Sequence, residues 1–377
     1  MSVTAFINAA VMTPAGVVDG QALLVENGII LDLVEPARVP AGASHEDLAG
    51  GLLGPGFIDT QVNGGGGVLF NDAPTVETIA AIGAAHRAYG TTGFLPTLIS
   101  DDLDVVDAAM RATEAAIEAG VPGVLGVHIE GPFLNAQRKG IHDADKFRVL
   151  DEAAIRLLTS LKRGRTLVTL APETTTPDMV RRLADAGVVV AAGHTNAAYE
   201  TVKAALEAGL TGFTHLFNAM SPLTSRAPGT VGAALENQDA WCGIIVDGRH
   251  VDPATLRIAL RTRPLDRFML VTDAMPTVGM ADKRFVLQGQ AITVQDGVCV
   301  GPGGTLAGSD LDMIGAVRNA VDMLGLPLQD AVMIASAAPA AFLGLATHRG
   351  TIAPGMAADL VLLDQDRNVV RTWIDGA

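Results

Sequence analysis

From Gly56 onward the chain alternates short apolar runs with helical patterns, and this rhythm narrows the fold more than any other feature. The runs are GFIDTQVNG, TTGFLPTL, VLGVHIEGPF, TLVTLAPE, VVVAAGHT, GFTHLFNA, WCGIIVDG and FMLVTDAM. Helical patterns near residues 74–89 and 103–119 separate the first three, and most later runs are spaced by segments rich in Ala, Leu, Glu and Arg. Eight such units in series fit a closed parallel barrel better than an open doubly wound sheet. No GxGxxG follows the first run to suggest a dinucleotide site. The expected class is therefore α/β, a (β/α)8 TIM-like barrel.

The texture changes on either side of this region. Residues 3–53 are short β-like runs broken by Gly, Pro and Asn, and residues 351–375 read the same way. The expected organisation is a small β-sandwich domain built from both ends (1–53 and 350–377) around a barrel at 54–349. The stretch FVLQGQAITVQDGVCVGPGGTLAGS, after the eighth run, reads as a hairpin inserted near the active face.

Composition supports a barrel and excludes some partners. Hydrophobic residues make up 49% and aromatics only 4%, so Ala, Val, Leu and Ile must fill the core. A formal charge of −15 argues against nucleic acid or an anionic membrane as main partner, though not against a small anion held by local donors. The first basic residue is Arg38, and no apolar stretch reaches eighteen residues, so a cytoplasmic protein is expected. Cys242 and Cys299 lie in strand-like segments and read as small core residues.

Chemistry-bearing side chains fall at the ends of four separate runs: Glu130, His194, His215 and Asp273. One such residue alone would be an ordinary hydrogen-bonded loop-edge group. Four in register carry a different meaning, because barrel enzymes take their catalytic groups from the C-terminal ends of several strands. A carboxylate and two histidines suffice for a catalytic metal that keeps a position open for water, and a further Asp can manage that water's protons.

The segments PGFID, HIEGPF, GHT, THLFNAM, DGRH, VTDA and GTIAPGMAADLVLLD, in that order, resemble the amidohydrolase superfamily, and within it the N-acetylglucosamine-6-phosphate deacetylase family. The resemblance spans nearly the whole chain. It implies hydrolysis of the acetamide of N-acetyl-D-glucosamine 6-phosphate. Many superfamily members carry an HxH pair after the first strand, where this chain has Gln61 and Asn63. Amides are poor zinc ligands, so one divalent metal per subunit is expected on Glu130, His194 and His215. Zinc is the leading metal, with Fe2+, Co2+ or Mn2+ suited to the same donors. Gln61 and Asn63 could shape the barrel mouth or touch water or substrate.

The resemblance further assigns Asp273 as general base and acid and His142, in KGIHD, as the group polarising the acetamide carbonyl. It gives Asn218 and Ala219 to the phosphate and Leu306 to the acetyl pocket. Arg226 and His250 match positions that reach the phosphate of a neighbouring subunit, which implies a homodimer. His128 is expected to face the barrel interior as a core or supporting histidine. Rival readings are another amidohydrolase, such as an N-acyl-amino-acid deacylase or cyclic amidase, and a non-catalytic scaffold on the same fold.

Overall fold

In the computed structural model, which describes residues 3–377, all eight apolar runs are strands of one parallel sheet. They are Phe57–Val62, Thr91–Ile99, Gly126–Glu130, Arg165–Leu170, Val189–Ala192, Gly212–Phe213, Trp241–Ile244 and Phe268–Leu270, each paired with its sequence neighbour. A parallel bridge between Val62 and Ala274 joins the first strand to the end of the eighth and closes the barrel. The strands read as unbroken apolar runs because both their faces are covered. Thr91–Ile99, for example, is buried along its whole length.

Helices Val76–Arg87 and Leu103–Glu118 occupy the first two crossovers, as the sequence pattern predicts. The first starts where the Thr75 side chain accepts from the backbone N–H of Thr78, which satisfies one otherwise unpaired donor. The barrel interior is not wholly apolar. His128 lies inside it with Nδ1 3.2 Å from Thr97 Oγ1 and Nε2 2.7 Å from Thr169 Oγ1, and burial lowers its pKa to about 4. This matches the core role expected for it.

The chain ends build the second, smaller domain. One sheet contains Thr4–Ile7, Ala22–Glu26, Ile29–Val34 and Ser44–Asp47; the other contains Ala10–Thr13, Gly16–Val18, Leu52–Pro55, Leu360–Leu363 and Val369–Trp373. The two ends meet where Leu52–Pro55 runs antiparallel to Leu360–Leu363. Phe6, Leu23, Leu53, Leu360 and Trp373 share one buried cluster, which makes the pair of sheets a sandwich.

The insertion after the eighth strand corrects the sequence reading. It is a four-stranded antiparallel sheet, Arg284–Leu287, Gln290–Gln295, Val298–Val300 and Leu306–Ser309, and not a single hairpin. Its last strand is laced to the end of the barrel: Ser309 N donates to Asp273 O at 2.9 Å, Met275 N to Ser309 O at 3.0 Å, and Ser309 Oγ to Thr272 O at 2.6 Å. The sheet thereby fixes the backbone that carries Asp273.

Candidate active site

Glu130 is the last residue of the third strand, and His194, His215 and Asp273 follow the fifth, sixth and eighth within two or three residues. The last three adopt left-handed backbone, with φ of 47°, 33° and 53°. Only glycine enters that region freely, although Asp, Asn and His tolerate it better than most residues. Such strain persists where the surrounding structure enforces it, and it gathers at functional sites.

The turns bring three donor atoms together. His215 Nε2 lies 3.0 Å and His194 Nε2 3.2 Å from Glu130 Oε1, and the two imidazole nitrogens are 3.1 Å apart. Donors bound to one tetrahedral ion at about 2.0–2.1 Å would sit roughly 3.3 Å from each other, so the cluster suits a single divalent metal. The outer hydrogen bond of His194 agrees. His194 Nδ1 lies 2.9 Å from the carbonyl oxygen of Arg138, which can only accept, so Nδ1 carries the proton and Nε2 presents its lone pair to the cluster. Burial disfavours the Glu130 carboxylate, but the adjoining His194 and His215 rings outweigh it and hold its pKa well below the usual range. Burial also disfavours a charged His215, and Glu130 reverses that effect and raises its pKa.

Asp273 is positioned by amides. Asn63 Nδ2 donates to Asp273 Oδ1 at 2.7 Å, while Gln61 Nε2 lies 3.2 Å from the same oxygen and 3.3 Å from each Glu130 carboxylate oxygen. Burial, reinforced by the Glu130 charge, raises the Asp273 pKa to about 6. Across the site, His142 Nδ1 receives the backbone N–H of Ser100 at 3.3 Å and lies 2.8 Å from Ser100 Oγ. A backbone N–H can only donate, so Nδ1 accepts and the proton resides on Nε2. Burial, with His194 adding to it, pushes the His142 pKa well below its ordinary value and keeps the ring neutral.

Asn63, Glu130, His142, His194, His215 and Asp273 line a cavity of about 320 Å³ together with Asn218, Ala219, His250 and Leu306. Two sequence expectations change here. Gln61 does not line the cavity; its amide is committed to Glu130 and Asp273, so a direct substrate contact gives way to a positioning part. His250 lines its own chain's cavity, with Nδ1 held 2.5 Å from Asp247 Oδ2 and only 5% of the side chain exposed. That places the ring in its own chain's site. Arg226 is exposed and lies outside the cavity.

Sequence reasoning passed over Asp247, Gln137, Arg138 and Glu173. Asp247 is three residues before His250 in DGRH, a spacing that could have flagged it. Glu173, just past the fourth strand, accepts from Asn135 Nδ2 at 2.8 Å, Thr195 Oγ1 at 2.5 Å and Asn196 N at 2.6 Å. It ties the loop after His194 to the loop after Glu130.

A closed parallel barrel with two histidines and two carboxylates gathered at its strand ends is the architecture of a barrel hydrolase with a place for a divalent metal. Residues 52–377 match the amidohydrolase family, and the chain belongs to it. An N-acetylgalactosamine-6-phosphate deacetylase of Shewanella sp. (strain ANA-3) is 44% identical, over 98% of this chain and 94% of the relative. An N-acetylglucosamine-6-phosphate deacetylase of Haemophilus influenzae is 33% identical over 99% of this chain and 98% of its own length. The crystal structure of N-acetylglucosamine-6-phosphate deacetylase from Pasteurella multocida superposes with a TM-score of 0.95 at 35% identity, covering 99% of this chain and 98% of that one.

Proposed function

We propose that the chain hydrolyses the acetamide of N-acetyl-D-glucosamine 6-phosphate, releasing D-glucosamine 6-phosphate and acetate. The observation that carries this reading is the convergence of Asp273, His142 and the Glu130, His194 and His215 cluster on one cavity, in a chain whose full-length relatives are deacetylases of amino-sugar phosphates. One divalent metal per chain, zinc by preference, would be held by Glu130, His194 and His215. Such an ion polarises the amide carbonyl and makes water a nucleophile near neutral pH.

The side chains then have defined work. Asp273 takes a proton from the attacking water and returns it to the amide nitrogen, since an amine anion is a very poor leaving group. His142 Nε2–H donates to the carbonyl oxygen as negative charge develops there. Asn63 and Gln61 hold the Asp273 carboxylate in place through their amide N–H groups. Leu306 packs against the acetyl methyl, while Asn218, the main chain at Ala219 and His250 bind the phosphate. Arg226 of one subunit reaches the phosphate held by another, which makes the working form a homodimer, in the cytoplasm.

Acetate release from N-acetylglucosamine with and without the 6-phosphate, on metal-quantified protein, tests the reading. A strong preference for the phosphorylated sugar and about one metal equivalent are expected; turnover of an N-acyl amino acid or a cyclic amide in its place overturns it. A second reading is favoured by the 44% identity to the Shewanella enzyme, namely that the 4-epimer, N-acetyl-D-galactosamine 6-phosphate, is the better substrate. Comparing kcat/KM for the two epimers decides between them.

A further inference from the structure

Arg138 is the only arginine or lysine lining the cavity among the described residues. Its chain environment leaves the charge available. Arg138 Nε donates to Asn196 Oδ1 at 3.0 Å, and no carboxylate pairs with the guanidinium among the described residues. Asn196 is itself held from two sides, its Nδ2 donating to Gln137 Oε1 at 2.9 Å and its backbone N to Glu173 Oε1 at 2.6 Å. A neutral, anchored acceptor aims one edge of the fork and leaves its Nη groups free for a bidentate partner.

The location of Arg138 matters as much as its charge. The loop from His194 to Asn196 is a strap with Arg138 on one side and Asn218–Ala219 on the other. On the first side Asn135 N donates to His194 O at 3.0 Å; on the second, Thr195 N donates to Ala219 O and Ser221 N to Thr195 O, both at 3.0 Å. Arg138 therefore neighbours the donors assigned to phosphate across a single strand of chain. In a protein of formal charge −15, with Glu130 and Asp273 lining the same cavity, an anionic substrate needs a local cation to enter.

We infer that Arg138 binds the phosphate monoester of the substrate from within the same chain. This rests on the proposed reading of the substrate as a sugar 6-phosphate. Arg138 acts through its side chain on the phosphate, while its carbonyl oxygen separately orients His194. The side chain is thus replaceable without disturbing the metal cluster.

The test compares wild type, Arg138→Gln, Arg138→Lys and Asn196→Ala, all metal-loaded. Steady-state rates are read on N-acetylglucosamine with and without 6-phosphate, and calorimetry reads the binding of glucosamine 6-phosphate against glucosamine. Loss of a charged hydrogen bond predicts a fall of about ten- to a hundred-fold in kcat/KM for the phosphorylated sugar in Arg138→Gln, carried mostly by KM. The unphosphorylated sugar should be nearly unaffected, the product should bind correspondingly more weakly, Lys should restore part of the loss, and Asn196→Ala should reproduce part of it. Metal content and melting temperature should stay at wild-type values. Equal losses on both sugars, loss of metal, or no loss at all in Arg138→Gln would overturn the assignment while leaving the substrate reading intact. A wild-type enzyme indifferent to the phosphate would instead reject the substrate reading, and the role of Arg138 with it.

Discussion

Asp273 and His142 face the same cavity from opposite electrostatic positions, one a carboxylate whose proton affinity burial has raised and the other an imidazole held neutral. A base must be ionised to act, so with a pKa of about 6 the rate should climb as pH rises through that value and level off above it. Asp273→Asn should keep metal and substrate binding, lower kcat by about 10²- to 10⁴-fold, and abolish that acid limb. Turnover near wild type in the variant would mean that another group moves the protons. For His142→Gln the expected loss in kcat is roughly 10²- to 10³-fold at unchanged metal content, the size associated with one oxyanion donor. Depletion of metal in this variant would reassign His142 to the cluster. At this scale the sequence was legible wherever a polar residue closed an apolar run, as with Glu130 or Asp273. Arg138 and Glu173 sit in single 3₁₀ turns of the connecting segments, and what such a residue meets depends on the path of chain segments distant in sequence. Gln61 lies at a strand end as well, yet its neighbours Glu130 and Asp273 come from other strands, so the commitment of its amide could not be seen in its own segment.

Elements differ in legibility for a related reason. The eight barrel strands stand out because strands buried on both faces are continuous apolar runs bounded by polar ends. The inserted sheet does not. Gln290–Gln295 is half exposed and alternates weakly, and the connection at 301–304 holds three glycines, so four strands merge into what reads as one hairpin. Yet this sheet meets the Asp273 turn at Gly308. Gly308 has φ of 71°, and a Cβ there would come within 2.7 Å of Asp273 O and 2.6 Å of Met275 Cγ. Gly308→Ala should therefore displace the Asp273 turn. The expected outcome is a stability loss of about 1–3 kcal/mol by denaturant titration, with kcat falling more than KM rises. A variant that melts early yet turns over normally would show the sheet to be a cover and not a support.

For the molecule as a whole, the described residues contain no helix long and apolar enough to cross a membrane. Assembly was the least legible property, since Arg226 is exposed and its proposed contact is with another chain. Mixing an Arg226→Ala chain with an Asp273→Asn chain tests the proposed dimer. Hybrid dimers would carry one intact site, so activity should rise above that of either variant alone. No rise after verified subunit exchange would remove Arg226 from the partner's site.

The left-handed turns at His194, His215 and Asp273 also bear on how such a protein can change over generations. Each holds a side-chain-bearing residue in a conformation that glycine would enter with less strain. Catalysis and robustness thus pull in opposite directions at the same three positions. A lineage freed from selection for turnover could gain stability there by drifting to glycine or asparagine, and would lose the active site first and the barrel last.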